Sequence, residues 1–213
     1  MAVIDLSQPS LWISLLSIAF NPTFWNIAAQ QEYRTHWITR LFDGDKYRGC
    51  YALAATIFVL GLVRDALFKT ALLSQPSWDA LDAAPVHLVA AVLVGAGLTF
   101  VVSSTFMLGI TGTFLGDYFG ILMKQRVTGF PFNVLENPMY VGSTMSFLGT
   151  SLWYAKPAGV LVTAYVWFVY SVALQFEGPF TTMIYSKHAA SSTSSSSSPA
   201  SSQKSSQQRK KKL

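Results

Sequence analysis

The chain has 213 residues, of which 51% are apolar and 14% aromatic but only 12% charged, about half the charged share of an ordinary soluble domain. That balance points to a membrane protein with room for four to six spans, and it excludes a sizeable soluble domain. The excess of Lys and Arg gathers largely near the C-terminus, which reads as topology and not as nucleic-acid binding, while a lone Cys50 and the scattered His36, His87 and His188 exclude a disulfide framework and metal-ligand spacing.

In chain order, Leu11 to Ala29 form a first uncharged segment, interrupted by Asn21 and Pro22, which predicts either a kinked span or a re-entrant helix. No cleavable leader pattern precedes it, so insertion is expected to rely on this segment. Trp12, Trp25 and Trp37 suit interfacial belts. Gln30 to Gly49 reads as a loop carrying Arg34, Arg40, Lys46 and Arg48. A second run, Cys50 to Val63, reaches bilayer length only if it continues through Ala66 to Phe68, with Arg64 snorkelling beside Asp65. Lys69 to Pro85 reads as a solvent-exposed loop. Val86 to Leu108 is the clearest span, containing Gly95, Ala96 and Gly97, with His87 an interfacial or packed histidine near its start. Asn137 to Ala155 and Ala158 to Phe176 are two further apolar runs, parted by Lys156 and Pro157.

The stretch between these runs, Gly109 to Gly149, is where polar residues and glycines concentrate. Gly112, Gly116 and Gly120 recur every fourth residue around Asp117 and Tyr118, a spacing that serves helix packing first and close approach of a ligand second. Asn137 and Pro138 stop one element, and Tyr140 and Gly142 open the next. Together they suggest a polar pocket at the edge of a membrane.

Charge selects between two topologies. If Asn137 to Ala155 crosses, Lys156 and Pro157 form a hairpin turn, and only Arg64, Lys69 and Lys156 oppose the basic residues of the other face. Without that crossing there is no asymmetry. The expected architecture is therefore all-α, a polytopic membrane helix bundle of four to five apolar segments with an outside N-terminus. Residues 1–188 form its embedded part. Residues 189–213 read as a disordered Ser-rich tail ending in Arg209 and Lys210, Lys211 and Lys212, cytosolic and similar to a dilysine endoplasmic-reticulum retrieval signal.

Four stretches carry a family resemblance: GITGTFLGDYFGILM at 109–123, RVTGFPFN at 126–133, NPMYVGST at 137–144 and EGPFT at 177–181. In this order they resemble the phospholipid N-methyltransferases of the endoplasmic reticulum, and the likeness starts at Phe20, Asn21, Pro22, Trp25 and Asn26 and runs to Tyr185. The NPMYVG portion alone is also similar to prenylcysteine methyltransferases and sterol reductases. The resemblance implies methyl transfer from S-adenosyl-L-methionine to the head-group nitrogen of a methylated phosphatidylethanolamine, ending in phosphatidylcholine. It also implies a cofactor site at a Gly-x-Gly, matched by Gly95, Ala96 and Gly97, and at an acidic pair, where Glu177 is followed by Gly178 in place of a second acid. That departure leaves open a non-catalytic membrane interaction protein derived from the family, and a prenylcysteine-type methyltransferase is a third reading.

For the transfer itself, nitrogen, methyl carbon and sulfur must be held nearly collinear, so positioning is most of the catalysis. The attacking amine must be neutral, which calls for a carboxylate or phenol beside it. Asp117, Tyr118, Tyr140 and Glu177 are the candidate catalytic residues, each with a plainer reading: a span-end carboxylate or cap for Asp117 and Glu177, a belt residue for Tyr140. Tyr118, Phe119, Phe130, Phe132 and Tyr140 offer aromatic faces for a sulfonium or methylated ammonium.

Overall fold

The protein, in a computed structural model, is described over residues 3–123 and 127–196, with side chains through His188. A proline in the first turn opens α1 (Pro9–Thr35), α4 (Ala84–Thr113), α5 (Pro138–Trp153) and α6 (Pro157–Ser196), at positions where a backbone N–H would have no helical partner. Asp45 instead caps α3 (Lys46–Ser74), accepting from the N–H groups of Tyr47 and Arg48 at 2.9 and 3.1 Å. The short α2 (Trp37–Leu41) is pinned by the buried Glu32, which accepts from the N–H groups of Ile38 and Thr39 at 2.6 and 3.2 Å and from the Thr39 hydroxyl. Two 3-10 turns, Asp79–Leu81 and Gly116–Phe119, complete the elements, and no strand occurs among the described residues.

Three stretches are long and apolar enough to cross a membrane, Lys46–Ser74, Ala84–Phe119 and Pro157–His188, and α1 and α5 complete a multi-pass bundle around them. Its outward faces carry Leu62, Val92, Phe106 and Phe168 exposed, as lipid contact requires. The core joins Leu11 and Ile18 of α1, Phe68 and Leu72 of α3, Phe147 of α5, and Val162 and Val166 of α6.

The ends of the bundle are tied by hydrogen bonds that reveal the threading. At the first end Asp5 N donates to the Gln75 side chain at 2.9 Å, Lys156 Nζ to Gln75 O at 2.6 Å and Trp78 N to Ala155 O at 2.9 Å. At the second end Lys46 Nζ donates to Gly120 O at 3.1 Å, and Ala29, Tyr118 and Ile184 share one cluster. Residues 154–156 are thus the turn of a helical hairpin, and α5 returns through the bundle as the charge argument predicts.

Several expectations are corrected. Of the two readings of the first apolar segment the re-entrant one does not hold: α1 is one helix that runs through Pro22 from the first end of the bundle to the second, with Asn21 buried and donating to Leu60 O at 3.1 Å. The expected loops are shorter, because α1 continues to Thr35 and α3 starts at Lys46 and continues to Ser74. Arg64 does not snorkel to an end but turns inward onto Tyr170. Gly112, Gly116 and Gly120 form no helical stripe, since Gly109 adopts φ 65°, ψ 177° inside α4 and Leu115 and Gly120 take left-handed conformations. Helical backbone reaches Ser196, inside the expected tail. The remainder of that tail, 197–213, and the basic residues Lys124 and Arg126 lie outside the described residues.

Candidate functional site

The break at Gly109 ends the straight course of α4 and folds residues 114–120 back across the second end of the bundle. The 3-10 turn Gly116–Phe119 then presents Asp117 and Tyr118 to α6. Asp117 Oδ2 accepts from the Thr181 hydroxyl at 3.0 Å, and its Oδ1 meets Tyr118 N at 3.2 Å. The Tyr118 ring, 1% exposed, stacks on Phe180 with centroids 4.9 Å apart and planes 6° from parallel, and Tyr33 closes edge-on against Phe180 at 5.2 Å.

One turn earlier on α6 sits Glu177, the half-buried carboxylate on which three helices converge. Its Oε1 accepts from Trp25 Nε1 at 2.7 Å and Asn26 Nδ2 at 2.9 Å, both from α1, and its Oε2 accepts from Tyr140 OH of α5 at 2.6 Å. Because Thr181 follows Glu177 by four residues, the two carboxylates stand on the same side of α6, separated along its axis by about one turn, roughly 6 Å. All four candidate catalytic residues therefore belong to one end of the bundle. Two buried polar atoms there have no hydrogen-bond partner among the described residues, Tyr118 OH and Asn26 Oδ1. Buried polar groups are normally satisfied, so these two atoms are unusual within the cluster.

The remaining sequence-derived candidates fall elsewhere. Gly97 is buried at the α4–α5 crossing, where a Cβ would strike Gly142 O and, at 2.6 Å, the Ser146 hydroxyl; this is helix contact, two residues past Tyr140. Gly95 is exposed with nothing within 4 Å of its absent side chain, and Ala96 is half-buried between them. Gly178 likewise faces open space, so the missing second acid takes no partner away from the Glu177 cluster. Phe119 packs with Ala28, Ile38 and Cys50, and Phe130 lies against Phe100 at 6.0 Å. Beside Tyr140 a groove of about 410 Å³ opens between α5 and α6, lined by Leu135, Asn137, Trp167, Tyr170 and Leu174.

Sequence reasoning missed roles for Trp25, Asn26, Phe180 and Thr181. A signal existed for the first two: an indole N–H and an amide adjacent in an otherwise apolar segment, each needing an acceptor that lipid does not supply.

Residues 85–188 match the phospholipid methyltransferase family. A phosphatidyl-N-methylethanolamine N-methyltransferase of Neurospora crassa is 60% identical over 184 residues, covering 86% of each chain. The chain belongs to the phospholipid methyltransferase family. The Saccharomyces cerevisiae protein of the same name is 51% identical, covering 86% of this chain and 88% of its own length. A phosphatidylethanolamine N-methyltransferase of Rattus norvegicus is 49% identical, covering 87% of this chain and 93% of its own. No solved structure matches this family member. The family match spans α4 to α6, whereas Trp25 and Asn26 come from α1, outside residues 85–188.

Proposed function

We propose that this membrane enzyme transfers methyl groups from S-adenosyl-L-methionine to the nitrogen of phosphatidyl-N-methylethanolamine and phosphatidyl-N,N-dimethylethanolamine, forming phosphatidylcholine. The observation that carries the proposal is the Glu177 carboxylate, held by Trp25, Asn26 and Tyr140 from two other helices and backed by relatives that bear the name of this reaction.

The residues present fit a sulfonium donor. Two carboxylates and the unpartnered Tyr118 OH and Asn26 Oδ1 offer a cation counter-charge and polar contacts. When bound, the donor supplies an electrophilic methyl group. Glu177 is the fixed anion of the site: donors from two other helices hold both its oxygens, so it attracts positive charge without moving. Asp117 is bound by fewer donors and keeps lone pairs free, which suits it to accept the proton that the substrate ammonium must lose before its nitrogen attacks. Tyr140 both orients Glu177 and lines the α5–α6 groove, so a lipid lying in that groove brings its head group toward the carboxylates. Gly95, Ala96 and Gly97 serve the donor site indirectly in this reading, Gly97 by letting α5 approach α4 closely beneath Tyr140.

The chain is assigned to the endoplasmic-reticulum membrane, with the second end of the bundle and the region from residue 189 onward on the cytosolic side, where a water-borne donor arrives. The test is methyl incorporation in membranes carrying the full chain, with labelled donor and the unmodified, monomethylated and dimethylated head groups offered separately. The expected result is label in phosphatidylcholine from both methylated lipids. Label in no lipid refutes the proposal.

A further inference from the structure

Arg64 sits ten residues before the end of α3, roughly 15 Å along the axis of a helix that crosses the membrane. A cation at that depth is costly and marks either a function or a specific partner. Its side chain is only 13% exposed and its donors are engaged: Nε and Nη2 donate to Asp65 Oδ1 at 3.0 and 2.8 Å, and Nη1 donates to Tyr170 OH at 2.6 Å. Tyr170, 3% exposed on α6, meets the Tyr140 ring edge-on with centroids 5.0 Å apart, and Tyr140 OH donates to Glu177. A continuous strut of two tyrosines thus links a mid-span ion pair to the carboxylate at the centre of the proposed site. Arg64 also lies over the Phe147 ring of α5, 5.2 Å from its centroid, and α3 already meets α6 through the apolar core that Phe68 and Leu72 share with Val162 and Val166, so joining these helices does not rest on this cation alone.

We propose that Arg64 is a positioning residue for methyl transfer: by fixing the Tyr170 hydroxyl it sets the angle at which Tyr170 buttresses the Tyr140 ring, and so holds the Tyr140 to Glu177 hydrogen bond. Asp65, 56% exposed on its side chain, supplies the counter-charge that lets the guanidinium stay at this depth. The proposal rests on the methyltransfer reading.

The experiment uses the full chain in lipid nanodiscs containing dimethylated substrate and compares Arg64→Met, Arg64→Lys and Tyr170→Phe, each alone and combined with Tyr140→Phe. Arg64→Met and Tyr170→Phe are expected to lower kcat about tenfold, within the range of coupling between contacting residues, while KM for the donor stays within about twofold. Neither loss should recur in the Tyr140→Phe background, and Arg64→Lys should recover part of the rate. Unchanged kcat in Tyr170→Phe, or losses that multiply with Tyr140→Phe, overturns the proposal and leaves Arg64 a helix tie. Should Arg64→Met fail to accumulate, the Tyr170→Phe arm decides alone. The ring-carbon resonance of labelled Tyr140 reports its hydrogen bond without turnover. It should shift in Arg64→Met and Tyr170→Phe, and an unmoved resonance overturns the proposal. An inactive parent counts against the methyltransfer reading, while this resonance still judges the strut.

Discussion

Glycines and small polar residues mark two regions of the bundle, and the two use them oppositely. At the α4–α5 crossing, Gly97, Gly142 and Gly149 remove side chains so that two helices touch: a Cβ on Gly142 would lie 2.6 Å from Gly97 O, and one on Gly149 would lie 2.8 Å from Ala90 O. At the second end, Gly109 and Gly120 break the helix and carry Asp117 and Tyr118 over α6, with no neighbour filling the space beside either glycine. The first region spends its small residues on contact between backbones. The second spends them on turns that gather carboxylates, aromatic rings and unpartnered polar atoms. A periodic glycine in an apolar stretch is therefore informative only once the backbone around it is known to be helical.

Glu177→Gln should give the largest functional effect. The amide removes the charge and places an NH2 against one of the donors Trp25, Asn26 or Tyr140, so the cluster loses both its anion and its geometry. A fall of about 100-fold or more in kcat is expected, comparable to losing a charge-stabilising group at a reacting centre, with the protein still in the membrane. Methyl incorporation per mole of inserted protein measures it. Wild-type turnover would place the chemistry away from α6.

The contrast between regions sharpens with a pair of leucines. Gly97→Leu forces a side chain into Gly142 and Ser146, costing about 1 to 3 kcal/mol by overpacking, and more if the helices cannot part. Gly95→Leu enters open space two residues away and should leave thermal stability unchanged. Thermal inactivation of the two variants in detergent tests this. A functional loss confined to Gly95→Leu would instead give that glycine a direct part in donor binding.

Asn26→Ala probes the polar end more finely. It deletes one donor to Glu177 and one unpartnered acceptor together, a bond to a charged group worth about 1.5 to 3 kcal/mol. Turnover should fall roughly 10- to 100-fold, visible in the same incorporation assay.

What the sequence revealed depended on which forces are local. Span positions and the turn at Lys156 and Pro157 follow from hydrocarbon length and basic-residue asymmetry, so the bundle's threading was readable. The gathering of Asp117, Tyr140 and Glu177 at one end follows from that threading. The course of α1 was not readable, because Asn21 and Pro22 look like an interruption until Leu60 O is seen to receive the Asn21 amide. Nor was the fate of Arg64, since its choice between snorkelling and turning inward rests on Tyr170, 106 residues away. Trp25 read as a belt residue for the same reason: its acceptor, Glu177, is 152 residues distant.

The smallest expected effect belongs to Gly178→Glu, and it bears on whether the missing second acid matters. On α6 a residue next to Glu177 is turned about 100° from it, and nothing lies within 4 Å of where a Gly178 side chain would begin. A glutamate there cannot join Trp25, Asn26 and Tyr140 around the first carboxylate without displacing it. It adds helix propensity of up to about 1 kcal/mol and an outward charge near the second end. Turnover should therefore stay within about twofold of the parent, a weight ordinary for an exposed charge. A large gain in donor affinity, measured by equilibrium binding of labelled S-adenosyl-L-methionine, would mean that the donor reaches around α6 to its outer side. The polar end would then be only half of the site, and the division between a packing region and a chemical region would have to be redrawn through α6 itself.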